Sequence, residues 1–265
     1  MKKSIGPFTA YARSALKLIL ADRGMLFGDM ILATIIPFLV QGILWIWLQP
    51  EAPGNLSASQ TLFYFAYAIA MGRLNNGYEI IVNTSDRIVR GDLDAFALRP
   101  VSYITQEFYS FIGGSAAYSV PLWLVFVIHL VTDERIRNLG AIFVLGTLLL
   151  FLFSIVVCFH FYWILACWCT KLIRAEFLAT FSVFLAGFLG GELIPIPLMP
   201  TWLLDICRYS PFYAMCAALG EVLIVGDPQL LNQNLFITGT WALFLCPLAH
   251  FGWKFSFRSY VSAGG

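Results

Sequence analysis

Residues Gly140–Trp168, GAIFVLGTLLLFLFSIVVCFHFYWILACW, run without one charged side chain. A helix rises about 1.5 Å per residue and crossing the hydrocarbon core takes roughly 20 apolar residues, so this stretch predicts a spanning helix with length left for tilt or for an extension past the surface. Working outward from it, similar apolar blocks predict five more spans at about 29–48, 61–82, 109–131, 177–195 and 233–253. The composition agrees: of 265 residues 60% are hydrophobic and 12% charged, with mean hydropathy +0.80, against about 25% charged in a soluble domain. Period-two alternation is absent, which argues against a β-barrel. The expected fold is an all-α integral membrane protein with six transmembrane helices in residues 29–265, preceded by an amphipathic segment at 1–28.

Orientation follows from the basic residues. With the N-terminus inside, the cytoplasmic segments carry Lys2, Lys3, Arg13, Lys17 and Arg23, then Arg87, Arg90 and Arg99, then Lys171 and Arg174, then Lys254 and Arg258. The outer segments carry only Arg135, Arg137 and Arg208, and this bias predicts a multi-pass protein with both termini in the cytoplasm. Arg13, Lys17 and Arg23 interrupt any apolar core of a cleaved signal peptide. Phe8, Tyr11, Ala15, Leu18 and Ile19 recur at helical spacing opposite Arg13 and Lys17, which predicts a helix lying in the inner interface; a solvated basic tail is the alternative. Net charge is +1 and topology accounts for the basic residues, so no nucleic-acid partner is expected.

Signatures of chemistry are missing. The chain has no Gly-x-x-x-x-Gly-Lys-Ser/Thr phosphate loop, no His-Glu-x-x-His and no Gly-x-Ser-x-Gly, so no catalytic residue, bound nucleotide or metal is expected on it. His129, His160 and His250 sit in or beside apolar blocks and read as packed side chains. Cys158, Cys167, Cys169 and Cys246 read as small apolar packers. Cys207 and Cys216 fall in an outer loop, where a disulfide and two unpaired thiols are both open.

Two polar features interrupt the apolar pattern. Arg73 lies about 18 Å along the second span if that helix begins near Thr61, a depth at which a charge faces protein or water. With Asn75, Asn76 and Glu79 it forms a polar inner gate or a clamp between helices; Asn76 shares its face, while Glu79 points roughly 120° away. The second feature is a charged island between spans two and three, Ile88-Val89-Arg90-Gly91-Asp92-Leu93-Asp94-Ala95-Phe96-Ala97-Leu98-Arg99-Pro100-Val101. Thr84 or Ser85 can cap a short helix through Val89, Asp86 suits its positive end, Gly91 can supply a left-handed stop, and Pro100 forces Arg99 out of helical geometry. Asp92, Leu93, Asp94 and Phe96 then face water, as docking handles or as part of a solvated loop.

The island resembles the hallmark of the six-span ATP-binding-cassette permeases of the type-two exporter class, an I-x-x-G-x-L-D-x-x-L-x-R-P pattern after span two. Ile88, Gly91, Leu93, Asp94, Arg99 and Pro100 match; Ala97 stands at the second leucine position, with Leu98 beside it. A second resemblance, P-x-x-x-x-P-x-W-L after span five, falls on Pro195, Pro197, Pro200, Trp202 and Leu203. The resemblance implies that Asp86, Arg87, Arg90, Gly91, Asp92, Leu93, Asp94, Phe96, Leu98, Arg99 and Pro100 form a cytoplasmic coupling helix docking on separate ATPase subunits. ATP and Mg would be held there, with no cofactor on this chain. It implies pairing with a second copy or a related permease in a cell membrane of the bacterial inner-membrane kind, and export of a lipidic, drug-like or glycosylated substrate. Pro195, Pro197 and Pro200 would end span five, and Trp202 to Val225 would form an outer helical hairpin that dips into the leaflet or lies on its surface. The rival readings are a secondary transporter or channel using Arg73 and Glu79, for which no inverted repeat is visible, and a membrane-embedded lipid enzyme, for which no nucleophile–base pair is found.

Overall fold

The computed structural model describes residues 6–48, 56–74, 77–93, 96, 101–170 and 175–258, and among these every regular element is a helix. The first is α1 (Pro7–Ala21), followed by α2 (Arg23–Leu48). Asp22 separates them by capping α2, its carboxylate accepting the Met25 amide at 3.0 Å. The apolar helix thus begins six residues before its expected start. Pro37 has no amide proton and crowds the carbonyl four residues back; α2 answers with a π-helical turn at Ile31–Ile35. Gly42 is the one buried residue among those of α2, which leaves a long apolar surface outward.

The second apolar block holds α3 (Ala58–Leu74) and continues into α4 (Gly77–Arg90), with residues 75–76 between them outside the described residues. The third divides into α5 (Tyr103–Tyr118) and α6 (Val120–Thr132), bent by 50° at Ser119 with Pro121 starting the second piece. α7 (Ala141–Cys167) fills the long uncharged block Gly140–Trp168, and α12 (Pro228–Arg258) pairs with it along its length. One core cluster gathers Val157, Phe159, Tyr162 and Trp163 of α7 with Ala242, Leu245 and Ala249 of α12. Trp163 stacks with Phe159 at 5.5 Å and meets Trp253 at 5.2 Å and Tyr103 at 5.4 Å.

By length and composition α2, α7 with its extension to Thr170, and α12 can each cross a membrane, and the bent α5–α6 pair makes a fourth. α8 (Glu176–Leu189) is apolar but only 14 residues long. The sequence expects a helix to 195 ended by prolines. The chain instead leaves the helix at Gly190–Gly191, Gly191 having φ 83°, where only glycine is free of strain. The Glu192 and Leu193 amides both return to the Gly187 carbonyl, closing the helix end six residues early. Beyond a 3-10 turn at Ile196–Leu198 come α9 (Thr201–Arg208), α10 (Pro211–Met215) and α11 (Ala218–Val225). α10 and α11 are buried in the bundle, with Ala214, Met215, Ala218, Val222 and Leu223 in the core, so only α9 has the character of a surface helix. All six cysteines are free; Cys207 and Cys216 are buried, the former with Sγ 3.4 Å from Met199 Sδ.

α1 lies on α5 rather than detached from the bundle. The crossing is close: a Cβ on Gly113 would stand 2.0 Å from the Ala12 carbonyl oxygen. Gly113→Val should therefore destabilise the protein by about 1–3 kcal/mol, as overpacking does. Gly28→Val, with nothing within 4 Å of its Cβ, should leave the melting temperature in detergent unchanged.

Candidate functional site

The island begins inside a helix, not at a cap. α4 runs unbroken from Gly77 to Arg90, so Thr84 and Ser85 are interior and buried instead of starting a short helix. Tertiary packing of their face against the bundle overrides the capping tendency of Ser and Thr. The stop lies where it was expected: Gly91 has φ 74°, its amide reaches the Ile88 carbonyl, and the Asp92 amide reaches that of Arg87.

Beyond Gly91 the chain turns back into the protein. Leu93 is 0% exposed and joins the same core cluster as Tyr103 and Trp163. Phe96 is half-buried, edge-on to Tyr103 at 4.8 Å and beneath the Arg87 guanidinium at 5.2 Å. The expectation that Leu93 and Phe96 face water is corrected: both anchor the turn. What does face outward is Asp86, Val89, Arg90 and Asp92. Asp86 and Arg90 pair loosely at 3.8 Å, too exposed to add much stability. Asp94, Leu98, Arg99 and Pro100 lie outside the described residues.

Arg87 belongs to the anchoring side. Its Nη1 donates to Glu107 Oε1 at 2.5 Å and to the Tyr103 hydroxyl at 2.7 Å, tying α4 to α5.

Arg73 ends α3 and ion-pairs with Asp29 of α2, with Tyr118 of α5 under its guanidinium at 5.3 Å. The geometry is that of a clamp among three helices. Glu79 makes no direct contact in it and sits exposed on α4 facing a separate cavity, although its charge acts on both Arg73 and Tyr118 from a distance; Asn75 and Asn76 lie outside the described residues. The clamp's acid was missed because Asp29 stands at the very edge of an apolar block and reads as a boundary. Glu192 was missed too, although one acid inside a run otherwise apolar from 177 to 200 is a usable signal. Its carboxylate packs on α3, Oε2 standing 2.7 Å from where a Cβ of Gly72 would be.

The proline-rich turn is held by α2 and α3. Pro195 is buried and its carbonyl accepts the Leu198 amide, Pro200 starts α9, Pro197 lies within the 3-10 turn, and Trp202 is exposed. The Ile196 amide donates to the Tyr64 hydroxyl at 3.0 Å, and the Trp45 indole donates to the Leu193 carbonyl at 3.2 Å. Glu221 of α11 is buried between Arg208 at 2.5 Å and the Tyr213 hydroxyl at 2.6 Å, a junction that links α9, α10 and α11. Nothing in the spacing of Arg208 and Glu221 announced it.

Removing one partner of the Arg73–Asp29 pair leaves a charge without its counterpart, costing about 1–3 kcal/mol. Arg73→Leu and Asp29→Leu should each lower the melting temperature, and the double variant should be more stable than the sum of the two losses predicts. Strict additivity in that cycle would show that the pair is not a clamp.

The family described as "ABC-2 family transporter protein" matches residues 51–264, which is most of the chain. No curated protein matches it. The chain belongs to the ABC-2 family of transporter proteins.

Proposed function

We propose that this member of the ABC-2 family is the permease subunit of an exporter, crossing the membrane six times with both termini in the cytoplasm. ATP and Mg are held by separate ATPase subunits, and the permease works as a pair with a second copy or a related chain. The crossings are α2, α3 with α4, α5 with α6, α7, α8 with the turn after it, and α12. The cargo that the family resemblance suggests is lipidic, drug-like or glycosylated.

One observation carries the coupling role: the turn after α4 is fixed from within and charged from without. Leu93, Phe96 and the Arg87–Glu107 bond hold it to the bundle, so a force applied to Asp86, Val89, Arg90 and Asp92 is passed into α4 and not absorbed by a loop. α4 packs against both α7 and α8, so displacing it moves the helix that ends in the proline-rich turn. An ATPase subunit docking on those four residues would be coupled to the far side of the bundle through rigid elements.

The test separates the two sides of the turn. Asp86→Lys with Asp92→Lys should abolish ATPase activity stimulated by the permease while leaving expression and melting temperature unchanged. Leu93→Ala should instead destabilise the protein by about 2–5 kcal/mol, as deletion of a buried leucine side chain does. Normal stimulated activity in the double-lysine variant would remove the docking assignment. In a background lacking the native cysteines, Asn232→Cys should react with an impermeant thiol reagent from outside sealed cells and Asp92→Cys should not; labelling of position 92 would overturn the six-crossing topology.

A further inference from the structure

Glu79 faces a cavity of about 190 Å³ enclosed by α1, α4 and α5. That is smaller than the roughly 300 Å³ of sites that take whole drug-sized ligands, so it suits a headgroup. One wall is apolar, made by Leu18 and Ile19 of α1 and Phe111 of α5. The other carries Glu79 and Asn83, four residues apart on one face of α4, with Ser110 of α5 across from them. Among the described residues none of these three side chains makes a hydrogen bond, nor does Glu79 make an ion pair. Arg87 and Glu107 also border the cavity, but each is already the other's partner at 2.5 Å. Arg73 feels the Glu79 charge only from a distance and is itself paired with Asp29, so the carboxylate without a contact partner here is that of Glu79. Leu18 is 76% exposed beside this apolar wall, on a helix that lies along the bundle's edge.

We propose that this cavity binds the primary ammonium group of an amphiphile, with the Glu79 carboxylate, the Asn83 side-chain carbonyl and the Ser110 hydroxyl each accepting one N–H. A primary ammonium has three donors and no acceptor, which is the complement of what these side chains offer. The carbon beside the nitrogen packs on Ile19 and Phe111, and the tail leaves past Leu18 into the bilayer. A trimethylammonium group, having no N–H, cannot satisfy the same three acceptors. The site needs only that α1 lie at a membrane surface, so it stands apart from the docking of an ATPase. Two sources share this chemistry, an aminophospholipid resident in the membrane and a transported cationic amphiphile.

Native mass spectrometry of the purified protein in mixed micelles holding equal phosphatidylethanolamine and phosphatidylcholine tests it directly. The wild type should retain phosphatidylethanolamine about tenfold over phosphatidylcholine, the ratio that one charge-assisted hydrogen bond is worth. Glu79→Gln, isosteric and uncharged, should lose that preference, and Ser110→Phe should fill the cavity and lose the bound lipid. Equal retention of both lipids by the wild type, or an unchanged preference in Glu79→Gln, would overturn the site. Dodecylamine should raise the melting temperature of delipidated protein and dodecyltrimethylammonium should not; a matching rise from both also overturns it. Phosphatidylethanolamine found on protein extracted from native membranes assigns the occupant to the bilayer. Its absence there, with dodecylamine still stabilising, assigns the site to a transported amphiphile.

Discussion

The hydrogen bond from the Ile196 amide to the Tyr64 hydroxyl is small, but the arrangement of the bundle rests on what it permits. Hydrocarbon offers no partner to a backbone group that leaves a helix, so irregular chain at membrane depth survives only where protein or water satisfies it. The chain after α8 is irregular for several residues, and several of its groups find partners within the protein. The Gly190 amide bonds Ala186, the Glu192 and Leu193 amides bond Gly187, the Leu193 carbonyl takes the Trp45 indole, and Ile196 takes Tyr64. With those met, α8 can stop at 14 residues and the chain can send α10 and α11 back among the other helices. The Glu221 junction with Arg208 and Tyr213 then holds the returning pieces together.

Charge is distributed by the same logic. Arg73 on α3 and Arg87 on α4 are both basic, yet neither is free to meet a partner from outside: one is held by Asp29 and the other by Glu107 and Tyr103. Each joins helices, Arg73 linking α3 to α2 and Arg87 linking α4 to α5. Among the described residues of the turn, Asp86, Arg90 and Asp92 carry charge outward, and only Asp86 and Arg90 make a pair, a loose one.

How much could be read from the sequence depended on whether a feature is local. Apolar length is local, and α2, α7 and α12 lie close to where the blocks predicted them; so is the left-handed need at Gly91. The three prolines were local as well, but they misled, because the earlier Gly190–Gly191 pair is the cheaper place for the helix to end. Thr84 and Ser85 show the same failure from the other side: a capping propensity worth about 1 kcal/mol yields to burial of a whole helix face. Asp29, Glu192 and Glu221 are set by contacts across 44, 120 and 13 residues of chain respectively, separations over which no periodicity carries information. Leu93 and Phe96 were misjudged because a turn flanked by acids reads as exposed, whereas their aromatic neighbours come from α5 and α7.

The close seat of Ala12 on Gly113 has a consequence for how the protein is made. At about 5–20 residues per second, roughly 5 to 20 seconds pass between the emergence of α1 and that of the glycine it rests on. Through that interval Phe8 and Ile19, which end up against α5 or beside it, have no protein to cover them. The bilayer surface is the one apolar shelter within reach, and an amphipathic helix can wait there at little cost. The N-terminal helix is therefore an early guest of an apolar surface and a late member of the bundle, and its final place is decided by α5, made well after it, rather than by the adjoining α2.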